Sequence, residues 1–429
     1  MARKKRPNPA GENSRAASRS ERRSFLKSCL ALGATAGLSP FGDYPLRSAA
    51  RQAAPSRGLH VAVIGAGAFG GWTALHLLRR GARVTLLDSW GPGNSRASSG
   101  GETRVIRATY GPERIYVQMV VRALQLWREA QEQWKRPLFH RSGALWMVGK
   151  KDDYEKASLP LLKEAGISFA TLTPAEAARR FPQINFEGVT WALHEPAAGY
   201  LLAREACQAV MEALVREGGE YRQASVQPGA LAGGEMKSIR LSDGSDLAAD
   251  QFVFACGSWL GRLFPEALGK RIQATRQEVF FFGPPAGDAR FAEGSLPVWI
   301  DNGERLFYGI PANRWRGFKV ADDTRGPEVD PTSQERVPTP AALRAAREYM
   351  EFRFPGLKNA PLVETRVCQY ENSPDTHFIL DRHPAAKNVV LLGGGSGHGF
   401  KHGPALGEMA AKLVLAQAAT PPLFSLSRF

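Results

Sequence analysis

From residue 59 the chain alternates between short, wholly apolar runs and longer stretches in which apolar residues recur every three or four positions. The first run, residues 59–64, is rich in Val and Ile, as a strand buried on both faces should be. It stops at Gly65-Ala66-Gly67-Ala68-Phe69-Gly70, after which Ala74, Leu75, Leu77 and Leu78 mark one stripe of a helix that Gly81 ends. Residues 83–87 form a second strand closing on Asp88. The predicted unit is strand, turn, helix, strand.

Farther along, Val117, Val120, Val121, Leu124 and Trp127 predict an amphipathic helix over 115–134, its tryptophans serving the core. Residues 138–148 are strand-like, 154–165 helical, and Thr173-Pro174-Ala175-Glu176 is a capped helix start. Residues 194–201 lead into a helix that runs to Gly218. A hairpin signal at 239–245 precedes a buried strand at 250–260 that ends in small residues, which let a ligand approach the backbone. Residues 272–363 read as β-rich with inserted loops, with strands at 279–283, 305–311 and 317–321, and a last buried strand covers 389–392.

The first unit carries specific chemistry. Gly65 permits a tight turn, Gly67 lets the backbone approach a pyrophosphate, and Gly70 lets helix and strand pack closely, while the helix N-terminus offers free N–H groups to phosphate. Asp88, about 20 positions on, is placed to accept ribose hydroxyls. The flanking strand, helix and acid favour a dinucleotide site over a glycine-rich turn that binds nothing. The motif alone does not choose between NAD and FAD.

Charge is concentrated at the start. Residues 1–57 hold twelve Lys or Arg against three acids, so +9 of the chain's +15 lies there and only about +6 remains for the rest. That remainder gives no argument for nucleic-acid binding. Ser20-Glu21-Arg22-Arg23-Ser24-Phe25-Leu26-Lys27 matches a twin-arginine export signal ahead of a mildly apolar segment too short for a membrane anchor. The alternative is a basic arm that binds nucleic acid or membrane. Ala34-Thr35-Ala36 and Ser48-Ala49-Ala50 are candidate cleavage sites, and Cys29, ahead of the apolar segment, does not resemble a lipoprotein cysteine. The twin-arginine route exports folded proteins, commonly around an inserted cofactor, so it favours tightly held FAD and a periplasmic or extracellular location. The roughly 370 residues that follow exceed one ordinary core, so two domains are expected. Cys207, Cys256 and Cys368 remain, an odd set with no metal spacing.

Other residues invite two readings each. A glycine- and serine-rich loop, 89–103, runs into Arg104 and Arg107; one helical turn would aim both at an anion or carboxylate, or they are solvated. His194 beside Glu195 suggests an acid/base pair, but strand neighbours face opposite ways. Cys256 reads as a packed small residue more readily than a reactive one. Lys319 in an apolar strand is unusual, though taken alone it reads as a snorkelling surface lysine. His398 and His402, at i and i+4, suggest zinc, but the glycines at 397, 399 and 403 argue against a rigid ligand face, so no metal is expected.

The last third adds Arg366-Val367-Cys368-Gln369-Tyr370-Glu371-Asn372-Ser373-Pro374-Asp375-Thr376-His377-Phe378-Ile379-Leu380-Asp381, then Gly393-Gly394-Gly395-Ser396-Gly397-His398-Gly399-Phe400-Lys401. With the elements before it, this resembles the monomeric sarcosine oxidase and N-methyltryptophan oxidase family of covalent flavoproteins, over essentially all of residues 58–418. The resemblance implies an α/β fold in which a glycine-rich, Rossmann-like FAD domain (58–115, 200–272 and 364–420) is interleaved with an α+β substrate domain containing a mixed sheet (116–199 and 273–363). It implies that Cys368 carries the flavin through a thioether. It implies that Lys319 stands beside the flavin N5 and aids oxygen, that Arg104 is a second cation there, that Arg107 and Lys401 grip the substrate carboxylate, and that Tyr308 and Tyr370 wall the pocket. Gly397, His398, Gly399 and Phe400 complete the cofactor site with Gly65, Gly67, Gly70 and Asp88.

The implied reaction oxidises the C–N bond of a secondary-amine amino acid to an imine that water hydrolyses, with O2 reduced to H2O2 by a protein expected to be monomeric. The amine must react in its neutral form, which neighbouring cations such as Arg104 and Lys319 favour. The alternatives are an exported flavin dehydrogenase that passes electrons to a quinone or cytochrome, a non-catalytic flavin-fold binding protein, and a soluble NAD dehydrogenase. Two departures from sarcosine oxidase bear on the substrate: Asp323 stands where a histidine is usual, four residues after Lys319, and Gly100 replaces another histidine. A bulkier or basic N-substituted amino acid is therefore expected, with Asp323 attracting its positive group.

Overall fold

The computed structural model describes residues 58–314 and 316–429. The twin-arginine motif and both candidate cleavage sites lie outside the described residues. The first unit forms as its pattern requires: β1 (His60–Ile64), all five residues buried, α1 (Ala68–Arg79) and β2 (Arg83–Asp88). Two glycines are sterically obligatory. Gly65 has φ +107° and a Cβ there would sit 2.2 Å from the Ala255 carbonyl oxygen, while a Cβ on Gly70 would sit 1.9 Å from the Gly65 carbonyl oxygen. The turn is therefore wedged between α1 and the neighbouring strand Gln251–Phe254.

β1 runs parallel to both β2 and Gln251–Phe254. Glu220–Gln223 adds beyond β2 and Ala386–Gly393 beyond Gln251–Phe254, both parallel, and Ile379–His383 closes the far edge antiparallel. Strand order thus turns back on itself at β1, and the crevice at the carboxyl ends of such strands is where open α/β sheets take ligands.

A second, eight-stranded sheet runs Leu362–Asn372, Gln273–Phe282, Phe318–Asp322, Leu306–Ile310, Val298–Asn302, Ala144–Val148, Trp191–Glu195, Ala170–Leu172. All its neighbours are antiparallel except Val298–Asn302 with Ala144–Val148, so it is the mixed sheet expected. Leu362–Asn372 carries Cys368 and Tyr370. The chain leaves this sheet only after Asn372, so a boundary at 364 falls inside the strand. One apolar core joins the sheets, with Val61, Val63 and Leu86 from the first, Trp146 and Ile300 from the second, and Val120 and Trp127 from the helix Arg114–Trp134.

Two local expectations change. Arg104 lies in the strand Thr103–Ile106, paired with Gly199–Leu202, so it and Arg107 do not share a helical turn. The segment Thr-Arg-Val-Ile is β-branched at three of four positions and favours that outcome. The stretch read as β-rich also contains the helix Pro340–Arg353, whose cap is Thr339 Oγ1 accepting from the Ala342 N–H at 3.2 Å. Thr173 and Glu176 form the reciprocal capping box their spacing predicts. Among the described residues no helix is long and apolar enough to cross a membrane.

Candidate functional site

The larger cavity, about 380 Å³, opens at the carboxyl ends of β1, β2 and Gln251–Phe254. Gly65, Gly67, Asp88, Arg104, Gly397 and Phe400 are among the residues that line it. The Asp88 carboxylate accepts the Ala66 N–H at 2.8 Å and the Trp90 N–H at 2.9 Å. It therefore fastens the turn as well as facing the cavity. Burial raises its pKa against those bonds. Ser99 Oγ accepts the Ala68 N–H at 3.1 Å, tying the 89–103 loop to the start of α1. The glycine turn at the start of α1 and the acid at the end of β2 on one cavity wall fit a dinucleotide.

Cys368 Sγ, 7% exposed, lies 3.5 Å from the Arg104 guanidinium, which also donates to the carbonyls of Ser98 (2.7 Å) and Thr103 (2.9 Å). Those carbonyls fix Arg104 across the end of the cavity. Lys319 does not snorkel: it is 1% exposed and donates to the Thr103 carbonyl at 3.0 Å. It does not line either cavity but stands behind the strand that bears Arg104. Burial, and then the Arg104 charge, lower its pKa to about 7.

A second cavity of about 80 Å³ adjoins the first, sharing Arg104, Gly397 and Phe400 as walls. Arg107, Lys401, Tyr308 and Asp323 meet there, with Trp146 and Ile300 closing its apolar side. The Arg107 guanidinium lies 4.1 Å from the centre of the Tyr110 ring and donates to the Thr109 carbonyl. Lys401 Nζ donates to Tyr110 Oη at 3.0 Å and to the His398 carbonyl at 2.9 Å. Burial, and next the Arg107 charge, hold the Lys401 pKa well below its ordinary value. Opposite, Asp323 accepts the Tyr370 hydroxyl at 2.7 Å. Burial pushes Asp323 up to about 6 against the pull of that bond and of Arg107 and Lys401. Tyr308 is pushed up to about 12 by burial and then by Asp323. Two basic side chains and one carboxyl group in a single cavity match the two ends of an amino acid.

Of the two histidines beside Lys401, His398 lines this cavity and His402 is fully buried. His398 is pushed down to about 3 by burial and then by Lys401, and His402 likewise well below its ordinary value. His402 Nε2 pairs with Tyr110 Oη at 2.7 Å and His398 Nε2 with the Thr376 carbonyl at 3.0 Å. No group of three potential ligands suited to a metal occurs among the described residues.

Glu195 has a role that its neighbour His194 obscured. Its carboxylate, 1% exposed, accepts the Ala108 N–H at 2.7 Å, the Thr109 N–H at 3.2 Å and the Thr109 hydroxyl at 2.5 Å. It thereby holds the backbone that carries Arg107. His194 is pushed down to about 4 by burial and then by Arg180, and as its neighbour on the same strand it points to the opposite face from Glu195. Glu195→Ala is expected to cost about 2–4 kcal/mol of stability by orphaning buried donors, and to raise KM about tenfold with a smaller change in kcat. Thermal unfolding and steady-state kinetics check both.

The family model described as "FAD dependent oxidoreductase" matches residues 60–413. The chain is 31% identical to monomeric sarcosine oxidase of Streptomyces avermitilis over 370 residues, covering 85% of this chain and 95% of that one. It is 29% identical to N-methyl-L-tryptophan oxidase of Salmonella dublin over 378 residues, covering 86% and 98%. Among solved structures, L-proline dehydrogenase from P. horikoshii superposes with a TM-score of 0.75 at 22% identity, covering 87% of this chain and 98% of that one. This chain belongs to the FAD dependent oxidoreductase family.

Proposed function

We propose that this member of the FAD dependent oxidoreductase family oxidises the C–N bond of an N-methyl or N-alkyl amino acid to an imine, with O2 as acceptor and H2O2 as product. The observation that carries the proposal is the adjoining 80 Å³ cavity, where Arg107 and Lys401 face Asp323 beside the cofactor-sized crevice. The relatives named sarcosine oxidase and N-methyl-L-tryptophan oxidase support it.

Bound FAD would supply the redox chemistry, accepting a hydride equivalent from the carbon beside the substrate nitrogen. The turn at Gly65, Gly67 and Gly70, together with Asp88, would hold its phosphate and ribose portions, with Gly397, His398, Gly399 and Phe400 against the ring end. Arg107 and Lys401 bind the substrate carboxylate, which places the nitrogen end toward Asp323 and Tyr370. Arg104 and the other cations disfavour a positive charge on that nitrogen, and the Asp323 carboxylate, titrating near neutrality, can take the proton the ammonium loses. Trp146, Ile300 and Phe400 exclude water from the apolar side.

Oxygen uptake with a panel of N-methyl and N-alkyl amino acids tests the reading: one H2O2 per O2 consumed supports it. Uptake with none of them, together with no anaerobic bleaching, overturns it. Bleaching without uptake would point to a quinone or cytochrome acceptor instead.

Cys368 is proposed as the site of a thioether to the flavin. Acid precipitation is expected to leave yellow chromophore on the peptide containing Cys368, and Cys368→Ser to release essentially all of it into the supernatant. Absorbance and peptide mass read both. Export by the twin-arginine route to the periplasm or beyond is proposed from Arg22 and Arg23, and a monomer is the proposed working state.

A further inference from the structure

Glu371 follows Tyr370 on the strand that carries Cys368, and by strand alternation it leaves the face those two share. It is 7% exposed and lines the larger cavity. Oε1 accepts the Gly395 N–H at 3.3 Å, while Oε2 is buried with no hydrogen-bond partner in the protein. The carboxyl is set between two glycines: a Cβ on Gly257 would stand 2.8 Å from Oε2, and one on Gly395 2.8 Å from Oε1. Burial pushes the group up to about 7. A buried acceptor left without a donor is costly, so a chain that keeps one against a ligand cavity points to a donor on the ligand.

The position identifies the donor. Along the cavity wall, Gly65 and Gly67 mark the phosphate end, and Arg104, against which Cys368 lies, the ring end. Glu371 neighbours both: it packs against Gly257, two residues past the Ala255 that abuts Gly65, and against Gly395 of the last glycine-rich turn, and it stands three residues after Cys368 on the same strand. The part of FAD that joins diphosphate to ring is the ribityl chain, and its only donors are hydroxyls. We propose that Glu371 is a cofactor-holding residue that accepts a hydrogen bond from a ribityl hydroxyl of FAD. The inference rests on the FAD family and is independent of which amine is oxidised.

Full-length apoprotein bearing Cys368→Ser, prepared from riboflavin-starved cells so that binding is reversible, would be titrated with FAD and with an FAD analogue whose ribityl chain lacks hydroxyls. Flavin fluorescence quenching reads the affinity, and circular dichroism confirms folding. Glu371→Leu is expected to weaken FAD binding about tenfold or more, and Glu371→Gln, which keeps an acceptor, about threefold or less. The parent protein should prefer FAD over the analogue about tenfold, a preference that Glu371→Leu abolishes. Folded Glu371→Leu protein that binds FAD as tightly as its parent overturns the proposal. Should that variant not fold, equal affinity of the parent for FAD and the analogue overturns it, and a retained preference that Glu371→Gln only partly diminishes supports it. Amine turnover enters none of these readings, so the proposed substrate class can fail without affecting them.

Discussion

Replacing Lys319 by Met is expected to slow reaction of the reduced protein with O2 by roughly 10²- to 10³-fold, while anaerobic reduction by the amine changes little. Oxygen acquires negative charge as it accepts electrons, and a preplaced cation in a water-poor site lowers the energy of that charge without reorganisation. Lys319 is such a cation below its pKa: it is fully enclosed, donates to the Thr103 carbonyl at 3.0 Å, and lies behind the strand whose Arg104 lines the end of the cofactor crevice. Its pKa near 7 gives the effect a pH signature. The lysine carries its charge below that value and loses it as pH rises through it, and an anion nearby would move the transition upward. The oxygen reaction should therefore decline with rising pH from about neutrality in the native protein and stay flat in Lys319→Met. Stopped-flow mixing of the reduced protein with O2 measures both. Equal rates in the two proteins would remove Lys319 from the oxygen reaction.

The second large effect concerns Arg107. Its guanidinium stacks on Tyr110, is fixed through Thr109, and shares the smaller cavity with Lys401. A carboxylate held by both cations forms charge-assisted hydrogen bonds in a desolvated site. Arg107→Ala should lose about 2–4 kcal/mol of that binding, or roughly 30- to 1,000-fold in kcat/KM. The change should fall mainly in KM. Arg107→Lys should recover little, because a lysine has neither the planar fork nor the stacking surface. The same variants should leave FAD content unchanged, since Arg107 lines only the smaller cavity.

The elements legible in the sequence were those set by local rules. The turn from Gly65 to Gly70 announces itself because its steric demands are met by neighbours in sequence and by one adjoining strand. The capping box at Thr173 is local in the same sense. Lys319, Cys368, Arg107 and Lys401 were singled out by the family resemblance, and the structure puts Cys368 beside Arg104 and Arg107 in one cavity with Lys401. Lys319 differs in that its contact with Thr103 spans 216 positions, so an enclosed lysine and a snorkelling one look alike in sequence. Glu195 escaped for a similar reason. Its three bonds go to residues 86 and 87 positions away, and only the fold reveals a clamp where adjacency suggested an acid/base pair. Arg104 and Arg107 both line the smaller cavity, but a β-branched strand and the residue just after it bring them there instead of a helical turn. Glu371 carried a usable signal, an acid beside Tyr370 in a strand otherwise bound for burial, which is rare without a partner.

The central claim is that the smaller cavity presents an N-substituted amino acid to a bound flavin. It is tested most directly by mixing the purified yellow protein, without oxygen, with an N-methyl amino acid or with its carboxamide, and following flavin absorbance. Rapid and complete bleaching by the acid, with the carboxamide slower by a hundredfold or more at low concentration, is the predicted result. A flavin that neither that acid nor any other N-alkyl amino acid bleaches would contradict the account.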